Sequence, residues 1–208
     1  MNKKLILKLS FSVAVLTALI GLSVLTSSCK CRACSDQEEA TVPADILAKA
    51  DSFIASTTGE EFFKKYITPD FYRTKVHLSF YELAYKLFMP EKPYVSATIK
   101  FMIDSIGNIM KNRDIVGIPR CKNFPNECEF NIDEETARQI ASQKGLKEGI
   151  KEWDAGFHWD FKMQRYVWRI LSTLTELGEG DHYKATGQEI VIDPNTGEVL
   201  ALNDWRIN

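Results

Sequence analysis

The chain is poor in the residues that carry most catalytic chemistry. Its 208 residues include three histidines, His77, His158 and His182, each standing alone. No H-E-x-x-H, no G-x-S-x-G and no glycine-rich phosphate loop occurs in it, so the sequence announces no metalloprotease helix, nucleophile elbow or nucleotide cradle. Positive charge is not in excess either. Lys plus Arg number 26 against 28 Asp plus Glu, a formal net charge of −2. Without a basic stripe the chain lacks the electrostatic footprint of a nucleic-acid binder. Long apolar runs are absent apart from one near the N-terminus.

That one run is the most informative stretch present. Met1–Asn2–Lys3–Lys4 is positively charged, Leu9 to Leu25 is apolar or small throughout, and Thr26–Ser27–Ser28 precedes Cys29. This is the order of a charged n-region, an apolar h-region and a small-residue cleavage site. The combination resembles a bacterial lipoprotein signal. That resemblance implies diacylglycerol on the Cys29 thiol, cleavage between Ser28 and Cys29, and a protein held in the bacterial cell envelope by lipid, facing either the periplasm or the surface. Two other readings stay open. The run can be an uncleaved anchor, although it is short for a span, or an ordinary secretion signal with Cys29 a simple thiol.

Removing residues 1–28 takes away Lys3, Lys4 and Lys8 and no acid, leaving 23 cations against 28 acids and a formal net charge of −5. The remaining 180 residues suffice for one domain or two small ones. Residues 29–43 are polar and charged with little to bury and read as a tether. The folded part divides into an N-terminal α+β unit over 44–120 and a second over 121–208.

Five cysteines are present. Cys31 and Cys34 form a C-x-x-C inside the tether, with no βαβ pattern for redox work and no second ligand pair for zinc. They read as tether thiols or a local disulfide. Cys121 and Cys128 bracket a segment containing Pro125 and Asn126, which turn a chain back. In an oxidising compartment they read as a structural disulfide, with free thiols the alternative.

Helical spacing runs through Ile46, Leu47, Ala50, Phe53 and Ile54 and stops at Gly59; Glu60 to Tyr66 reads as a short second helix. Phe80 to Met89 and Tyr94 to Asp104 read as strands, with a turn at Asp104–Asn108 and a return from Ile109. Residues 112–130 read as a connector. Asp133 is placed to cap a helix carrying Ala137, Ile140 and Ala141. Trp153, Ala155, Phe157, Trp159 and Phe161 then alternate with Asp154, Gly156, His158 and Asp160, a strand with one apolar and one polar face. Tyr166, Trp168 and Ile170 share a face of the next strand, and Gln188–Asp193 pairs with Glu198–Leu202 across a turn. Phe101-Met-Ile-Asp-Ser-Ile-Gly-Asn-Ile109 echoes Val191-Ile-Asp-Pro-Asn-Thr-Gly-Glu-Val199. The echo is either a duplicated unit or two ordinary hairpins that use Asp and Gly as turns do.

The residues Ile132-Asp-Glu-Glu-Thr-Ala137 with Ile140–Ala141, Tyr166-Val-Trp-Arg-Ile170, and Gly187 to Leu200 ending in Asp193-Pro-Asn-Thr-Gly-Glu-Val-Leu200 resemble a PepSY domain. The resemblance covers about 130–208 and implies a helix packed on a small antiparallel sheet, with a role in restraining or binding a partner such as a peptidase. No catalytic residue comes with it. The expected fold is therefore α+β, PepSY-like, as one such unit or two in tandem.

The remaining chemistry is thin. His158 with Asp154 and Asp160 has the composition of a metal site, but a solvated strand face accounts for all three. Glu134 and Glu135 suit a helix start. The four tryptophans, Trp153, Trp159, Trp168 and Trp205, read as core or as a platform for a glycan or peptide. No cofactor, metal or catalytic residue is expected. Trp168 and Ile192 are the partner-binding candidates, on the condition that one of their strands is an edge open to strand addition. Three functions remain: a lipid-anchored, non-enzymatic protein binding an envelope partner; a surface protein binding peptide or glycan through exposed Trp; and an enzyme whose site is assembled from distant residues.

Overall fold

The computed structural model describes residues 41–208. The leader, Cys29, Cys31, Cys34 and most of the tether lie outside the described residues. Among those described, no helix is long and apolar enough to cross a membrane.

Helix α1, Ala44–Thr58, buries Ile46, Ala50 and Ile54, one residue per turn. Gly59, at φ 88°, ends it and allows α2, Glu60–Tyr66, to start at an angle. The first sheet follows: β1 Ile67–Pro69, β2 Lys75–Val76, β3 Phe80–Met89 and β4 Lys92–Asp104. All pairings are antiparallel. β1 and β2 pair with opposite ends of β3 along its one side, and β4 runs the length of the other. The face carrying Leu83, Tyr85, Leu87, Ile99, Phe101 and Ile103 packs on α1. The short strand β1 stands where the sequence shows only a helix stop. The expected return from Ile109 is not a strand; it makes isolated bridges, Ile103 with Ile109 and Lys100 with Val116. Gly117 and the prolines after it leave too little uninterrupted ladder.

Helix α3, Glu134–Gln143, begins where Asp133 Oδ1 accepts from the Thr136 N–H at 2.8 Å. The second sheet is a simple meander in the order β5-β6-β7-β8: Asp154–Asp160, Arg165–Leu177, Lys184–Ile192 and Val199–Ile207. Ala137 and Ala141 of α3 pack on Trp168, Ile170, Ile190 and Ile192. Each half is thus a helix on an antiparallel sheet, an α+β arrangement. In each half a turn follows the strand that enters the echo motif, and in each an Asp Oδ1 organises it. Asp104 accepts from the N–H groups of Ile106 and Asn108, Asp193 from those of Asn195 and Thr196.

The two sheets share a seam. Phe130 meets Phe157 and Tyr166 edge-on at ring-centroid distances of 5.3 and 5.9 Å, and Tyr94 lies 5.8 Å from Trp168. The buried Tyr166 hydroxyl donates to Gly117 O at 2.8 Å. Gly117 is required there: its φ is +80°, and a Cβ would lie 2.8 Å from Thr98 O and 2.9 Å from the Tyr166 oxygen.

Several carboxylates are held below their usual range. Glu91 sits at about 2, chiefly because the Tyr66 hydroxyl donates to it. Backbone and side-chain donors of Asn108 lower Asp104, the Lys151 ammonium lowers Glu176, and Thr136 lowers Asp133. Each depressed acid binds its proton more readily in the unfolded chain. Their contribution to stability is therefore complete above about pH 4–5 and disappears as pH falls toward 2. Denaturant midpoints measured from pH 6 down to pH 2 should decline through that window; a flat profile would contradict these hydrogen bonds.

Candidate functional site

Cys121 precedes and Cys128 ends a short 3-10 turn, Pro125–Cys128, with Sγ atoms 2.14 Å and Cα atoms 5.4 Å apart. The closed loop fastens the connector beside the end of α1, where the Lys122 N–H donates to Thr57 O. So small a loop gives a modest entropic gain. Cys121→Ser with Cys128→Ser should lower stability by about 2–3 kcal/mol in a urea titration, and a dithiothreitol-treated native chain should match it.

The partner-binding candidates do not meet their condition. Trp168 on β6 and Ile192 on β7 are 2 % and 0 % exposed, and both strands have neighbours on either side. The indole of Trp168 donates to Ile132 O at 2.7 Å, so this residue ties α3 to the sheet. Both belong to the core because α3 lies over the face they share. The outer strands of that sheet are β5 and β8.

The polar face of β5 is also drier than its alternation indicates. His158 and Asp154 are exposed, but Asp160 is only 8 % exposed. Its Oδ2 pairs with Arg169 Nη2 at 3.0 Å, and its Oδ1 accepts from the N–H groups of Lys162 and Met163. Arg169 Nε in turn lies 3.2 Å from Glu189 Oε2, close enough for an ion pair but off hydrogen-bond geometry. Among the described residues no three His, Cys, Asp or Glu side chains converge as a metal site would require.

Two clefts and one outer strand stand out among the described residues. The first cleft, about 660 Å³, lies along the seam between the sheets, with Arg73, Lys86, Thr98, His158 and Trp159 on its walls. Arg73 Nη1 donates to Thr98 Oγ1 at 2.8 Å and lies 3.7 Å from Asp70. Trp159 Nε1 is buried here without an acceptor, an uncompensated donor of the kind that a ligand or water satisfies. The second cleft, about 770 Å³, covers the outer face of the second sheet. The Asp160–Arg169–Glu189 chain crosses it, beside Met163, Val191 and Ala201. Two carboxylates flank one guanidinium in this chain, and Lys162 on the same wall supplies a second cation, so the cleft mixes both signs of charge.

The edge is β8. Its nine residues pair with β7 alone. Leu202 and Ile207 are exposed on it, whereas Trp205 folds back over Gly187 and donates to Gln188 O at 3.1 Å. A Cβ at position 187 would come within 2.4 Å of that ring, so the glycine makes room for the indole. None of the four tryptophans is classed among the exposed residues.

Reading from sequence overlooks the Asp160–Arg169–Glu189 chain and the open edge. The signal for the first was present: Arg169 and Glu189 both fall on the side of their strands opposite Trp168 and Ile190. The edge was not read from sequence, because which strand lies outermost depends on pairing between distant segments. Comparison of the chain with family models, curated proteins and solved structures returns no match.

Proposed function

We propose that this is a lipid-anchored protein of the bacterial cell envelope that binds a protein partner such as a peptidase and catalyses nothing itself. The observation that carries the reading is the open β8 edge. A nine-residue strand with one unpaired side offers backbone donors and acceptors to an extended segment of another protein, with alternate side chains for selectivity. The leader supports the anchor at Cys29. The helix-on-sheet build supports a PepSY-like second unit. The matching Asp-organised turns support a first unit that is a diverged copy of it, with β1 and β2 replacing one whole strand and the bridged segment 109–116 replacing β8.

Crosslinking in intact envelopes tests this. Of Leu202 and Asn203, adjacent on the strand, one directs its N–H outward and one toward β7. Proline at the outward position removes the edge donor and leaves the ladder whole. One of Leu202→Pro and Asn203→Pro should therefore stay folded and lose a crosslinked peptidase about tenfold. Undiminished capture by the folded variant would remove β8 from the reading. Turnover of a substrate, lost on changing His158 or Asp160, would replace it with an enzyme.

A second reading is favoured by Trp159. Its unpartnered indole N–H beside Arg73, Lys86 and Thr98 fits the seam cleft to a peptide or glycan. Binding of a soluble oligosaccharide or peptide that is abolished by Trp159→Phe would support it.

A further inference from the structure

One end of the first sheet is apolar in a way the core does not require. The loop between β2 and β3 presents Leu78, fully exposed, and the turn after β4 presents Ile106, 69 % exposed. The two tips are joined side by side: the Ser105 N–H donates to Ser79 O at 3.2 Å, and Phe80 pairs with Asp104 just behind them. Isolated surface aliphatics need no explanation, but two large ones on coupled loop tips form a patch.

The same end receives the chain from its N-terminal side. Phe53 of α1 lies against Phe101, and Lys49, one turn earlier, donates to Ile106 O at 2.7 Å. Helix α1 thus runs toward its own start as β4 runs toward the tips. Ala44, five residues before Lys49, lies about 7.5 Å further in that direction. Twelve residues lie between Cys29 and Val42, so a lipid on Cys29 keeps this end within about 45 Å of the bilayer at full extension. Lys49, Lys111 and Arg113 on or beside these elements are matched by Asp45, Asp104 and Asp114.

We infer that Leu78 and Ile106 form a membrane-contact tip that seats this end of the domain on the lipid surface. The inference rests on acylation of Cys29, proposed above. An anchored domain is already confined next to the bilayer, so a small apolar contact is enough to orient it. Seating this end fixes the direction in which the rest of the domain faces its partner.

The test uses the full chain in intact envelopes. A diazirine-bearing amino acid is placed at position 78, 106 or, as an exposed control on the β5–β6 turn of the other sheet, 161. After irradiation, intact mass reads both the adduct and the state of Cys29. The expected result is lipid adducts at 78 and 106 about tenfold above those at 161, on a chain acylated at Cys29. Lipid adducts no more frequent than at 161, or protein adducts at 78 and 106, on an acylated chain would overturn the tip and leave the anchor standing. A chain with no acyl group on Cys29 would overturn the anchor, and the tip with it.

Discussion

Trp168→Ala should destabilise the protein by about 3–5 kcal/mol, a large share of the 5–15 kcal/mol that typically holds a domain together. The side chain is 2 % exposed and packs with Tyr94, Phe157 and the α3 face. Truncation leaves a cavity where helix, sheet and seam meet. It also leaves Ile132 O without the indole donor that reaches it at 2.7 Å. Trp168→Phe separates the two contributions, since it keeps most of the volume and loses the donor, and should cost about 1–3 kcal/mol. Urea unfolding followed by circular dichroism measures both. A Trp168→Ala chain of unchanged stability that had lost only its partner would mean that this residue is a contact and not a core element.

The second large effect is expected at Asp193. Its side chain is nearly buried, pairs with Arg165 Nη2 at 2.6 Å, and accepts from Asn195 and Thr196 through the other oxygen. It organises the β7–β8 turn and also compensates a guanidinium whose Nε is itself buried without an acceptor. Asp193→Ala leaves that cation uncompensated and two backbone donors unpaired, a loss of about 3 kcal/mol or more. Asp193→Asn retains an acceptor for the turn and should lose roughly half as much. In a double-mutant cycle with Arg165→Ala the two losses should fall short of additivity by at least about 1 kcal/mol. Additive losses would show that the pair is not coupled. Because β8 begins six residues later, at Val199, Asp193→Ala should also weaken any binding that uses the β8 edge.

Much of the architecture was legible from local chemistry. α1 and α3 follow from apolar spacing, and their ends from Gly59 and Asp133, because a helix terminus must find partners for its own backbone groups. The strand β5 follows from alternation, β3 and β4 from aromatic and β-branched content, and the turn at 193–197 from Asp and Gly, while β7 and β8 run longer than the 188–193 and 198–202 read from sequence. The Cys121–Cys128 pairing followed from a short span with a turn inside it. These features depend on residues within a few positions of one another.

What tertiary structure alone decided is which sides of the strands are covered. Trp168 and Ile192 looked like ordinary strand residues. They are core because α3 lies across them and because β6 and β7 acquired neighbours on both sides. Asp160 looked solvated, yet it is buried because β6 and β7 bring Arg169 and Glu189 to it. β8 became an outer strand by strand order, and the seam cleft exists because the two halves meet at Gly117 and Tyr166. By itself the sequence determined an α+β build and the positions of most elements, since periodicity and capping are local. Burial, edges and clefts depend on pairing between distant segments, and the 3.6- and 2-residue periods do not record which neighbour a strand acquires.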